Sequence, residues 1–129
     1  MSLSAAEKEK YKVQGVQLVK EINGGGDNAI LIEANVSQFN EVKTMVDKAV
    51  EKFGRIDILV SNAGMFDGYN DLMHTTDEIF NMVFNSNVRG SFNCARAIIL
   101  HMIDNGGGVL LMTSSFAAIP SARVRSGLR

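Results

Sequence analysis

The sequence has no tryptophan, one proline (Pro120) and one cysteine (Cys94), and each shortage excludes something. A single cysteine cannot form an internal disulfide, and nothing points to an oxidising compartment, so a cytoplasmic location is expected. Scarce proline excludes a proline-rich linker. Charge of neither sign is in excess, with 13 Lys and Arg against 14 Asp and Glu. No bulk attraction to nucleic acid or to anionic lipid is therefore expected. No apolar run approaches the roughly 20 residues of a membrane span. The N-terminus turns charged from Glu7 to Lys10, so no leader or membrane partner is expected either. Residues 1–3 read as a cloning remnant, and residues 121–129, with Arg123, Arg125 and Arg129, as an atypical solvated tail.

What is present, 129 residues that are 46% hydrophobic and 21% charged, fits one globular domain over residues 1–129. Residues 5–22 carry a one-sided stripe of Tyr11, Leu18, Val19 and Ile22, and Gly24, Gly25 and Gly26 close that helix. Residues 29–33 form a short apolar run that reads as a buried strand. Ser37 is placed to cap a second helix, whose stripe is Val42, Met45, Val46, Ala49, Val50 and Phe53 and which ends at Gly54. Residues 56–60 read as a second strand, followed by the small polar turn Asn62, Ala63, Gly64. Thr75 and Glu78 form a capping box that opens one long helix through about Ile103, with Ile79, Val83, Asn87, Cys94, Ile98 and Met102 on its stripe. Residues 109–112 make a third strand, ending at Thr113, Ser114 and Ser115. The order α-β-α-β-α-β predicts an α/β fold in which three strands of a parallel sheet alternate with three helices.

In such sheets, sites lie beyond the carboxyl ends of the strands. That rule points to Asn35 and Val36, to Asn62, Ala63 and Gly64, and to Thr113, Ser114 and Ser115. Both triple-glycine runs follow a helix and precede a strand, the reverse of a phosphate cradle, so they read as helix stops. His74 and His101 lack ligand partners at metal spacing and read as solvated or capping histidines. Cys94 lies mid-helix on the apolar stripe and reads as core, as do Met45, Met82, Met102 and Met112. Asn87 stands out, because an asparagine on a buried face must be hydrogen-bonded or cost a few kcal/mol, by order of magnitude.

These residues resemble the short-chain dehydrogenase/reductase family, over about residues 5–119. Residues 51–60 running into Asn62, Ala63 and Gly64 are similar to the family's fourth strand and N-A-G turn. Asn35 and Val36 are similar to the segment beside the adenine ring, where the family usually has Asp-Val. Asn87, Val88, Arg89 and Gly90 resemble the N-x-x-G helix motif, and Ser115 corresponds to the serine that orients the substrate oxygen. The resemblance implies a partial Rossmann-type sheet, an NAD or NADP cofactor, a small-molecule substrate of unread identity, Asn87 and Ser115 in catalysis, and Asn35, Val36, Asn62, Ala63 and Gly64 in cofactor binding. The family's T-G-x-x-x-G-x-G turn and Tyr-x-x-x-Lys pair do not occur in these 129 residues, and the tyrosine's expected place is Leu128.

In the family's sheet order, 3-2-1-4-5, two strands separate the run at 29–33 from the one at 56–60. The run at 29–33 is therefore expected to pair elsewhere, beside residues 57–61 or across a homo-oligomer, since an unpaired buried strand leaves its polar groups unsatisfied. Three functions remain in play: a dehydrogenase fragment inactive alone, a non-catalytic assembly or interaction module, and a receiver-like signalling domain. The third would need an acidic cluster with a lysine at the strand ends, where this sequence has the uncharged Asn35, Asn62 and Ser115. Residues 65–73 are read as a substrate entrance or an exposed loop.

Overall fold

The computed structural model describes residues 4–68 and 71–115. The first helix, α1 (Ala5–Gly24), opens with a capping box: the Ser4 hydroxyl accepts the Glu7 amide, and the Glu7 carboxylate accepts the Ser4 amide at 2.8 Å. α2 (Phe39–Phe53) stops at Gly54, which takes φ 81°, a left-handed value that suits glycine. Next come the strand β1 (Ile58–Ser61), the helix α3 (Asp77–Phe84), a π-helical turn at Asn85–Arg89, the helix α4 (Gly90–Asp104) and the strand β2 (Val109–Met112). The two strands pair in parallel, Ile58 opposite Val109 and Ser61 opposite Met112. The Thr113 amide extends the ladder to the Ser61 carbonyl at 3.0 Å.

The core lies between α2, α4 and one face of the sheet. Val46, Ile98 and Met102 form its centre, with Met45, Val50, Ile56, Leu59, Ala97 and Leu110 packed around them. This is the burial that the stripes of the second and third helices predict. A Cβ at Gly108 would lie 2.6 Å from the Met102 sulfur, so glycine there lets the chain enter β2 against the end of α4.

The fold class holds, and several expectations are corrected. The described residues form two strands, not three. Residues 29–33 form no strand and pair with neither β1 nor β2, because a strand exists only where a neighbour receives its backbone groups. The segment is held to α1 by side chains instead. The Asn23 side chain accepts the Ala29 amide at 2.6 Å and donates to its carbonyl at 3.2 Å, and Lys12 pairs with Glu33 at 3.2 Å. α1 buries none of its residues fully, and Tyr11 and Leu18 of its stripe remain exposed. Phe53 and Met112 are also largely exposed rather than core.

The caps shift by one residue. Ser37 turns its hydroxyl onto Asn35, so Gln38 takes the start of α2 without a side-chain bond. Thr75 donates to the Asp71 carbonyl, and Thr76 caps α3 by accepting the Ile79 amide. The long third helix is broken by the π turn. The notional remnant at residues 1–3 and the basic tail at 121–129 lie outside the described residues.

Ile98 is wholly buried and Leu100 is 70% exposed. Urea unfolding followed by circular dichroism should show Ile98→Ala lowering stability by about 2–5 kcal/mol. Leu100→Ala should stay within about 0.5 kcal/mol of the parent.

Candidate functional site

The carboxyl end of β1 is fastened to the π turn by one side chain. Asn87 Oδ1 accepts the Met65 amide at 2.7 Å, and Asn87 Nδ2 donates to the Met65 carbonyl at 3.0 Å. Both edges of the side-chain amide are thus spent on the residue that follows Asn62, Ala63 and Gly64. A Cβ at Gly64 would stand 3.3 Å from Asn87 Oδ1, so glycine leaves the asparagine its approach. A second tie runs beneath it: Ser61 Oγ donates to Ser91 Oγ at 3.0 Å, and Ser91 Oγ donates to the Asn87 carbonyl at 2.9 Å. A π turn carries one extra residue in the helix, and here that surplus turns Asn87 toward the strand end.

The first turn of α4 holds the other side of the site. A Cβ at Gly90 would fall 2.6 Å from Val36 Cγ2, so the valine occupies the space that a side chain would take. Asn93, 3% exposed, donates from Nδ2 to the Val36 carbonyl at 2.9 Å. The Asn35 amide donates to the Glu41 carboxylate at 2.8 Å, and Asn35 Oδ1 accepts from the Ser37 amide and hydroxyl. Val36 is thereby fixed through both its carbonyl and its side chain.

The structure therefore gathers Val36, Gly64 and Asn87 around the π turn and the start of α4. Asn35 is held beside them, and Asn62 and Ala63 lie exposed in the turn. Ser115 follows β2 on the same carboxyl edge, two residues past the ladder bond of Thr113. Asn87 is exposed, not on the buried face. The turn breaks the 3.6-residue register on which its burial was expected, and the buried, bonded asparagine is Asn93. At 100° per residue Asn93 lies off the row of Cys94, Ile98 and Met102, about 180° around the helix from Met102, so periodicity gave no signal for it.

Cys94 is buried as expected, and desolvation raises its thiol above the ordinary value. His74 is solvated, paired through Nδ1 with Asp71 at 2.6 Å. His101 is half-buried in the last turn of α4, and its buried Nε2 has no hydrogen-bond partner among the described residues. Among the described residues no three His, Cys, Asp or Glu side chains gather as a metal would need, and no helix is long and apolar enough to cross a membrane. Of the segment 65–73, Phe66, Leu72 and Met73 are exposed, and residues 69 and 70 lie outside the described ones.

The sequence model of the family described as short chain dehydrogenase matches residues 5–126. The chain belongs to this family. It is 39% identical over 116 residues to a short chain dehydrogenase of Claviceps purpurea, a match covering 86% of this chain and 42% of that protein. It is 38% identical over 114 residues to versicolorin reductase 1 of Dothistroma septosporum, covering 86% and 43%. Among solved structures it is similar to a 3-ketoacyl-ACP reductase from Sinorhizobium meliloti, with TM-score 0.75, 30% identity and coverage of 80% of this chain and 40% of that one. A 7 alpha-hydroxysteroid dehydrogenase complexed with NADH and 7-oxo glycochenodeoxycholic acid is also similar, with TM-score 0.77, 30% identity and coverage of 84% and 42%. The chain spans less than half the length of these relatives. Their folds are Rossmann-type, and the small parallel sheet with its helices is part of one.

Two measurements test this geometry. Asn87→Ala should speed hydrogen exchange at the Met65 amide, while the Val109 and Thr113 amides, bonded across the sheet, keep their protection. The raised Cys94 thiol favours the neutral form in the fold, so its contribution is whole below the unfolded thiol's pKa of about 8.5. It is lost as pH rises from there through the folded value. Unfolding free energy measured against pH should fall more steeply above that point in the parent than in Cys94→Ala.

Proposed function

We propose that this chain supplies part of the NAD(P) site of a short-chain dehydrogenase/reductase, as a single partial domain that turns over no substrate by itself. The observation that carries the reading is the double amide bond from Asn87 to Met65, which builds the strand-end turn and the N-x-x-G segment into one unit. In this reading Asn35 and Val36 lie along the adenine, and the exposed backbone of Asn62, Ala63 and Gly64 lines the cofactor's path. Ser115 donates to the substrate oxygen. Asn87, with both amide edges engaged, acts by holding the turn in place.

NAD(P), when bound, supplies or receives the hydride. The chain's share is to seat the cofactor's adenine side and to orient the carbonyl or alcohol oxygen. Val36, fixed from two directions, offers a rigid apolar wall, which suits a flat base. The pyrophosphate is a different matter, because it needs amides converging at a helix N-terminus behind a glycine turn. The 129 residues contain no T-G-x-x-x-G-x-G, and neither tyrosine has a lysine four residues on. Without that acid, no group here exchanges the proton that must accompany hydride transfer.

A non-catalytic assembly module is the second reading, favoured by the large aliphatic side chains that β1 and β2 leave exposed. Titration of the chain with NADH and NADPH, followed by cofactor fluorescence, tests whether the chain is silent by itself. No saturable binding up to millimolar cofactor is expected from the chain alone. Saturation near micromolar would overturn the claim of silence, since the strand ends would then hold a dinucleotide unaided.

A further inference from the structure

Asparagine directly before glycine occurs twice, at Asn23-Gly24 and at Asn105-Gly106, and each pair opens the same run, Asn-Gly-Gly-Gly. In such a pair the side-chain amide is readily lost. The glycine nitrogen has no Cβ to shield it, and the permissive glycine backbone lets that nitrogen swing onto the preceding side-chain carbonyl carbon. Because the two runs are identical, the fold is what can make one site react and the other persist.

Asn23 lies inside α1 and Gly24 is the last residue of that helix, so the attacking nitrogen is still helical. Both edges of the Asn23 carboxamide are engaged, accepting the Ala29 amide at 2.6 Å and donating to the Ala29 carbonyl at 3.2 Å. Asn105 stands just past the end of α4, with φ −104° and ψ 19°, outside the helical range. Among the described residues its side chain makes a single hydrogen bond, from Nδ2 to the His101 carbonyl at 2.8 Å. The Gly106 amide is held by the Ile103 carbonyl at 3.2 Å. Gly106 and Gly107 take φ of 89° and 111°, a Cβ at either would meet nothing within 4 Å, and the whole turn is exposed to water.

We propose that Asn105 is a site of spontaneous covalent modification, converted through a cyclic imide to aspartate and isoaspartate, while Asn23 is protected by its clamp. The Gly106 amide nitrogen gives up its proton to hydroxide and bonds to Cγ of Asn105. The Cγ–Nδ2 bond breaks, and Nδ2 takes a proton from water and leaves as ammonia. Water then opens the ring at either carbonyl, so that water is consumed, ammonia is released and nothing is oxidised. Both products lack the donor to the His101 carbonyl and set a carboxylate at the negative end of α4, beside Asp104. Isoaspartate also routes the main chain through Cβ, lengthening it just before the Gly107 amide meets the Met102 carbonyl at 2.7 Å and the Val109 amide meets the Asp57 carbonyl at 2.8 Å. Those bonds lead the chain into β2. The proposal rests on the turn itself and is independent of the cofactor reading.

The test is peptide mass spectrometry of the chain held folded at mildly alkaline pH, with a parallel sample in guanidinium chloride. In the folded chain the peptide containing Asn105 should gain one mass unit and split into two chromatographic forms. It should do so at least about tenfold faster than the peptide containing Asn23, the effect of one further hydrogen bond and a helix end that must open first. In guanidinium chloride the two rates should converge. Asn105→Gln, whose longer side chain closes a ring far less readily, should abolish the gain at that peptide. Equal rates in the folded chain, faster conversion at Asn23, or a gain that persists in Asn105→Gln would overturn the proposal. So would an unchanged Asn105 in the folded chain once the denatured sample has fully converted. A difference that survives guanidinium chloride would also overturn it, by assigning the selectivity to Ile22 and Asp104, the residues before each pair.

Discussion

The buried side of α4 is the contact on which the rest of the structure depends. Ile98 and Met102 on that helix meet Val46 of α2 and Leu59 and Leu110 of the sheet, so a single row of side chains holds together two helices and both strands. Two turns before Ile98 the same row begins at Gly90, which leaves room for the Val36 methyl group, and Asn93 on the adjoining flank of the helix holds the Val36 carbonyl. The site is therefore an extension of the core, and its geometry is no softer than the packing behind it. That explains a small polar cluster keeping its shape on a chain whose other surfaces are loosely covered.

Much of this was legible in the sequence where burial alone decides structure. The stripe Val42, Met45, Val46 and Val50 became the packed face of α2, because a 3.6-residue repeat of large aliphatics has one way to leave water. The runs at 58–61 and 109–112 became strands for the same reason. Residues 29–33 are just as apolar and formed none. A strand is a property of two segments, and composition describes one at a time. The exposed stripe of α1 has the same origin, since amphipathicity names the face to be covered but not what covers it.

The site was legible as a set of positions rather than as contacts. Asn35, Val36, the turn at 62–64 and Asn87 were identified by their order along the chain and by family resemblance, and the described structure gathers them at one edge. Which asparagine does which task was not readable. A single π turn moved Asn87 out to the loop and left Asn93 buried beneath Val36, and nothing in the composition of residues 85–89 announces a π turn. The caps of α2 and α3 shifted by one residue for a related reason: Ser37 and Thr75 each found a competing partner, Asn35 and the Asp71 carbonyl. Short polar side chains choose among neighbours whose positions tertiary folding sets.

The surplus residue in that turn also limits how the chain can vary in length. α3 is anchored at its start by Thr76, and α4 is anchored by its core row, so the stretch between works as a spacer of set count. Deleting one residue from it would let an uninterrupted α-helix form, a gain for the backbone, and would swing Asn87 around the axis by about 100°. The helix would be more regular and the core intact, yet the strand-end turn would lose its tether. Apart from Asn87 itself, residues 85–89 should therefore tolerate changes of side chain far better than changes of number.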